Sequence, residues 1–228
     1  MKARHARRMP ILAKTAKSSI YRNMDRLSPD TSDSLSGLIA ASARHGDVAK
    51  ARPVERWNPP YCGEIDMLIR ADGTWFHNGS PIGRAALVRL FASILRKDED
   101  RYLLVTPVEK VGIKVEDVPF IATSMRAESG SSGDGQLQES LLFETNVGDV
   151  TRAGPEHPIR FERGAHDGIK PYVHVRGGLW ARLTRALSHD LVGIAVERQE
   201  KGENWLGVAS GGAFFPLCRA SDMAGVEG

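Results

Sequence analysis

Residues 64–94 read EIDMLIRADGTWFHNGSPIGRAALVRLFASI, and this stretch holds both periodicities on which the fold turns. Ile65, Met67 and Ile69 alternate with Glu64, Asp66 and Leu68, the period-2 pattern of a half-buried strand. Asp72-Gly73 supplies the turn, because glycine tolerates a positive φ, and TWFH returns as the second strand of a hairpin. Gly79-Ser80-Pro81 breaks that strand; Ser80 can cap a helix with Pro81 in its first position, or Pro81 and Ile82 can extend the sheet. Leu87, Leu90, Phe91 and Ile94 then fall at i, i+3, i+4 and i+7, the apolar stripe of a helix that ends near Arg96.

Downstream, YLLVTPVEK (102–110) reads as a strand, VGIKVEDVPFIATSM continues in extended segments, and ESGSSGDGQLQ (128–138) is a low-complexity loop before SLLFETN resumes strand character. The second half then echoes the first. Asp167-Gly168 lies 95 residues after Asp72-Gly73, Leu206-Gly207-Val208 lies 95 after Val111-Gly112-Ile113, and Phe215 lies 95 after Phe120. Trp75-Phe76-His77 has a counterpart 97 residues on in Tyr172-Val173-His174, followed by glycine and a helical stripe of Leu179, Leu183 and Leu187. The reading is an α+β fold of two related repeat motifs (strand, DG turn, strand, helix, strands) packed around a shared core, with mixed or antiparallel sheets. It assigns 1–34 to a basic extension and 35–56 to a short helix and linker. Residues 57–126 form the first motif, 127–157 a mobile loop and connecting strand, 158–219 the second motif, and 220–228 a tail.

The chain has 228 residues, enough for one large domain or two small ones at roughly 150 residues per domain. A hydrophobic fraction of 41% and a mean hydropathy of -0.29 exclude a collagen, a wholly disordered chain and a membrane-spanning helix. Charge is uneven: residues 1–56 hold 12 basic and 5 acidic side chains, a net +7, and the rest of the chain carries a net -4. Residues 1–24 contain seven Lys or Arg and no acid, which suits weak, salt-dependent contact with anionic surfaces. The apolar run Met9–Ala13 is too short for a secretory signal, and two cysteines 156 residues apart, Cys62 and Cys218, suit a reducing compartment, so the sequence reads as cytoplasmic.

Motifs that carry chemistry are missing: no Gly-rich phosphate loop with a following Lys, no GxSxG, no HExxH and no paired CxxC. Cys62 with His77 is the best nucleophile and base pair on offer, set against the ordinary role of a lone cysteine as a small apolar residue. Asp66, Glu109 and Lys110 form a second group able to handle protons. His77 and His174 could meet across a pseudo-twofold axis with a carboxylate, although no metal or cofactor is expected. Arg84 opens the first helix and Arg176 precedes the second in a comparable place, where N–H groups and the helix dipole favour an anion. With Arg89 and Arg182 these make either a carboxylate or phosphate pocket, or ion pairs to Asp66, Glu109 or Asp117 that hold the halves together. Trp57-Asn58-Pro59-Pro60 is a rigid extended segment that either lines a ligand groove or clamps the chain to the core.

The runs WNPPYCGEIDMLI, DGTWFHNGSPIGR, YLLVTPVEKVGI, VEDVPF, FETNVGD, AGPEHPI, YVHVRGGLWA, WLGVASGG and FFPL closely resemble an uncharacterised family found widely in proteobacteria, a domain of unknown function. The resemblance spans about Leu35 to Leu217. It implies an α+β protein with two related repeats, no established activity and a loosely suggested part in signal transduction. It marks Trp57, Asn58, Pro59, Pro60, Cys62, Asp66, Gly73, Trp75, Arg84, Thr106, Pro107, Glu109, Lys110, Asp117, Asn146 and Arg176 as family-typical. The expectation is a non-catalytic regulatory protein that binds a small anionic ligand or a protein partner through Trp57, Asn58, Cys62, Asp66, Trp75, His77, Arg84, Glu109, Lys110, Asn146, His174 and Arg176. The alternative is a hydrolase or transferase using Cys62 and His77, or Asp66, Glu109 and Lys110. Oligomeric state is left open.

Overall fold

The structure, a computed structural model, describes residues 35, 37, 39, 52–131, 137–164, 168–200 and 202–223. The basic extension, most of the first helix, the tip of the 128–138 loop, Asp167 and the end of the tail lie outside the described residues. Leu35, Gly37 and Ile39 are helical, and Leu35 and Ile39 pack against the core.

The protein is mostly β rather than α+β. Residues 61–115 build a six-stranded sheet from two antiparallel meanders. The first comprises β1 (Tyr61–Ile69), β2 (Trp75–His77) and β3 (Ser80–Pro81); the second comprises β4 (Leu95–Asp98), β5 (Arg101–Val105) and β6 (Lys110–Val115). The meanders join where β1 runs parallel to β6, giving the order β3-β2-β1-β6-β5-β4. Helix α1 (Ala85–Ser93) connects them and buries Leu90, Phe91, Ala92 and Ser93. Its stripe is the one read from the sequence, and its N-cap position is Arg84 rather than Ser80, which has gone into β3.

A second six-stranded sheet repeats this plan. One meander is β7 (Phe120–Ser131), β8 (Leu137–Thr145) and β9 (Val150–Arg152); the other is β10 (Ile159–Arg163), β11 (Ile169–Arg176) and β12 (Leu179–Leu183). β7 runs parallel to β12, so the order is β10-β11-β12-β7-β8-β9. Read from the other edge, that is the order of the first sheet with six added to each strand number. Helix α2 (Arg185–Gly193) follows, then a separate antiparallel sheet of β13 (Val196–Glu200), β14 (Glu203–Ser210) and β15 (Ala213–Arg219), and the short α3 (Ala220–Met223).

Two sheets are therefore alike, but they are not the halves that the spacing of 95 selects. Val111-Gly112-Ile113 lies in β6, at the centre of the first sheet, whereas Leu206-Gly207-Val208 lies in β14, in the third sheet. Phe120 opens β7 and Phe215 sits in β15. Phe120–Ser131, read as the end of the first motif and the start of a loop, is hydrogen-bonded into the second sheet throughout. Leu179, Leu183 and Leu187 are not a helical stripe: Leu179, Ala181 and Leu183 are the inward side of β12, and the helix starts six residues later, where Thr184 Oγ1 accepts the Leu187 N–H. A spacing of four fits a strand's period of 2 and a helix's 3.6 almost equally well, so the leucines alone could not decide.

One apolar cluster runs through both sheets, from Ile69, Trp75, Leu90 and Leu104 to Phe120, Phe143, Val173 and Leu179, and Val208 and Phe215 join it from the third sheet. No described helix is long and apolar enough to cross a membrane.

Candidate functional site

Of the polar residues singled out from the sequence, Asp117, Asn146, Arg176 and Arg182 meet at the seam between the two large sheets, and the others lie elsewhere. Arg176, on β11, donates to Ala92 O at 2.7 Å and Leu95 O at 3.2 Å, lies 3.4 Å from Asp149, and stands over the Phe120 ring. It thus caps the C-terminal end of α1, where carbonyls point outward and a cation is favoured. Arg84 sits at the other end of that helix, about 13 Å away for nine residues, exposed and without a side-chain cap bond. The two arginines do not face a common cleft, because Arg176 reaches across to the first sheet's helix instead of leading its own.

Arg182 donates to Ala71 O at 2.7 Å and pairs with Asp117 at 3.3 Å, and Asp117 also accepts the Tyr172 hydroxyl at 3.1 Å. Burial first, and the Asp117 carboxylate second, push the Tyr172 phenol up to about 12. Asn146 Oδ1 accepts the Ile121 N–H at 3.0 Å while its Nδ2 donates to Gly73 O at 3.5 Å. Gly73 has φ +84, and a Cβ there would lie 2.7 Å from Ile121 Cγ1, so the Asp-Gly turn is pressed against the second sheet. Gly73, Asp117, Asn146 and Arg176 therefore hold the sheets together.

The proposed catalytic groups are kept apart. His77 lies opposite Met67, five residues along β1 from Cys62, a separation of roughly 16 Å. Cys62 is exposed, and its thiol contacts Pro60 O at 3.7 Å. Lys110 pairs with Tyr61 at one end of β1, while Asp66 is five residues further on, again roughly 16 Å. Glu109 takes the Leu35 N–H at 2.8 Å and closes a turn in which Thr106 Oγ1 accepts the Val108 and Glu109 N–H groups. Trp57 is partly buried against the core, and its carbonyl, like that of Val54, accepts from Arg96, which is in turn held by both oxygens of Asp98. Asn58 is exposed, and Trp75 is buried against Phe91.

His174 meets a histidine, but not His77. Its Nδ1 is 3.2 Å from Nδ1 of His157, the rings stack at 5.2 Å, and Trp180 meets His174 edge-on. Among the described residues no group of three or more His, Cys, Asp or Glu could hold a metal. The register of β10 on β11 sets residue 158 opposite residue 174, and His174 N donates to Pro158 O, which brings His157 beside His174.

His157 lines a groove of about 660 Å³ together with Arg152, Ala153-Gly154-Pro155, Glu156, Gly130, Ser140 and Gly211. The β14–β15 tip forms one wall. Ser210 Oγ accepts the Leu141 N–H at 2.8 Å and donates to Ala153 O at 2.9 Å, and a Cβ on Gly211 would lie 2.6 Å from Ala153 O. Arg152 is held by Glu128. The loop 153–158 connects β9 to β10, the junction at which the first sheet carries α1. Neither Arg152 nor His157 was singled out from the sequence, since a lone Arg and His in a loop carry no motif.

Two family models match the chain and divide it at the boundary between the sheets. A domain of unknown function (DUF1285), N-terminal domain, matches residues 52–118, and a protein of unknown function (DUF1285), C-terminal domain, matches residues 119–217. No curated protein matches. The crystal structure of a DUF1285 family protein from Silicibacter pomeroyi DSS-3 is 44% identical, with a TM-score of 0.69, over 82% of this chain and 98% of that one. A DUF1285 family protein from Shewanella baltica OS155 is 28% identical over 56% of this chain and 90% of that one, with a TM-score of 0.40. With both domains matched in order and a solved relative aligned over nearly its whole length, the chain belongs to the DUF1285 family.

Proposed function

We propose that the protein is a non-catalytic binding protein of regulatory type, and that a small anionic ligand occupies the groove between the 153–158 loop and the β14–β15 tip. The observation that supports this most is the approach of Arg152 and His157 to one concavity of about 660 Å³, a volume suited to a small metabolite. Arg152 offers a planar fork of donors, and its present partner Glu128 is half-exposed, a pair that an incoming carboxylate or phosphate can replace at little cost. Glu156 on the same rim disfavours a bare polyanion and favours a ligand that also carries a donor. The arginines of the seam are already engaged by carbonyls and carboxylates, which argues against placing the ligand there.

A thermal-shift screen with anionic metabolites tests this. A ligand at 100 times its dissociation constant adds about 2.7 kcal/mol, and Arg152→Ala should abolish the shift while leaving the ligand-free melting temperature nearly unchanged, because the Arg152 side chain is half-exposed. A flat screen, or a shift that survives in Arg152→Ala, removes the groove from consideration and makes a protein partner the leading reading.

A further inference from the structure

We infer that an oxyanion in this groove is taken up together with one proton, received by the His157–His174 pair, and that the proton's arrival releases the Gly177-Gly178 turn. The inference rests on the groove reading above. Two nitrogens 3.2 Å apart can hold one N–H between them, not two. Gly178 N donates to His174 Nε2 at 3.3 Å, so that nitrogen is an acceptor and the His174 proton sits on Nδ1, directed at His157 Nδ1. His157 then keeps its own proton on Nε2, the nitrogen left to the groove. The relay runs from the groove through two rings to a backbone amide.

A second proton has two places to go, with the same result. On His157 Nδ1 it opposes the His174 Nδ1–H, and His174 must move its proton to Nε2. On His174 it lands on Nε2 directly. Either way Nε2 acquires a hydrogen facing the Gly178 N–H, and that hydrogen bond breaks. One proton enters from solvent, none leaves, and the pair becomes a monocation beside the anion. The charges around the pair are Arg152 on β9 with Glu128 on β7, Glu156 in the loop, Arg160 on β10 over the Trp180 ring, and the Arg176–Asp149 pair on the far side of β11. Burial first, and the neighbouring imidazole second, hold the pKa of His174 below its ordinary value, against a backbone hydrogen bond to Glu156. An anion at His157 supplies the countercharge that the pair lacks.

The turn at the end of the relay touches the first sheet's side of the seam. A Cβ on Gly177 would be 3.3 Å from Glu55 Oε1, and one on Gly178 3.8 Å from Lys97 Cδ. Occupancy of a groove in the C-terminal domain is thereby felt at the N-terminal domain.

Calorimetry of the full chain with inorganic sulfate, which does not itself titrate from about pH 5.5 to 8, in two buffers of different ionisation enthalpy counts the protons. About one proton taken up per sulfate is expected, with affinity weakening roughly tenfold per pH unit where the pair is neutral before binding. The double variant His157→Phe with His174→Phe keeps two rings and removes all four nitrogens; its sulfate affinity should lose the pH slope. Sulfate binding without proton uptake in the wild type overturns the relay and leaves the groove reading standing. No binding of sulfate, phosphate or succinate at any pH overturns both. Uptake that persists in the double variant assigns the proton elsewhere and overturns the relay. Should that variant not fold, the Gly178 amide resonance of the wild type decides: it should shift on saturation with sulfate, and an unmoved signal sinks the inference.

Discussion

In the first sheet the chain passes from its first meander to its second through α1, which buries Leu90, Phe91, Ala92 and Ser93; in the second sheet the same passage is the loop 153–158, against which the β14–β15 tip is hydrogen-bonded. The strand order is common and the connection is not. Two sheets of one plan can thus serve different ends, one closed by a helix and one left with a groove. The seam shows the same division of labour, because Arg176 of the second sheet completes the helix of the first.

The comparison is most severely tested at that arginine. Arg176→Met removes two hydrogen bonds to the end of α1 and leaves Asp149 buried without its cation, which should cost about 3–5 kcal/mol in urea unfolding. Because one core runs through both sheets, unfolding should remain a single transition; two transitions in the wild type would show that the sheets are separate bodies. Tyr172 gives the next largest effect. Its folded pKa of about 12 exceeds that of an unfolded tyrosine, so the unfolded chain releases the proton first. Stability is complete below about pH 10 and should decline by on the order of 2–3 kcal/mol as pH rises through 12, a loss that Tyr172→Phe removes.

Smaller effects sharpen the equivalence of the turns. Gly79, between β2 and β3, and Gly148, between β8 and β9, have φ of +72 and +88, and nothing lies within 4 Å of a Cβ on either. Alanine should cost about 1 kcal/mol at each, from backbone conformation alone, and unequal costs would break the correspondence. Cys62→Ser should change stability by less than about 0.5 kcal/mol and leave ligand-induced melting shifts intact, since the thiol is exposed, lies on β1 of the first sheet and does not line the groove.

Local pattern was legible where one period dominated. The hairpin of β1 and β2 and the helix carrying Leu87, Leu90 and Phe91 follow from the alternation of Ile65, Met67 and Ile69 and from the i, i+3, i+4 spacing, whereas the strand read over 102–110 is broken by a turn at Thr106–Glu109 into β5 and β6. It misled at Leu179, Leu183 and Leu187, whose spacing satisfies a strand and a helix alike. The parallel pairs β1–β6 and β7–β12 were invisible, since each joins strands tens of residues apart with no turn to announce them. For the candidate site, Gly73, Asp117, Asn146 and Arg176 carried a family imprint that the chain alone could not separate into binding and holding. His157 escaped notice because its partner is supplied by strand register.

Turn residues and apolar periodicity determined the first hairpin and the amphipathic helix carrying Leu87, Leu90 and Phe91, because those features act over a few residues and need no knowledge of the rest. Which meander lies beside which, that Arg176 ends up at the end of another sheet's helix, and that two histidines 17 residues apart come within 3.2 Å were decided only by the tertiary structure. Those outcomes depend on contacts between distant segments, whose free energy belongs to the packed pair and is written in neither segment by itself.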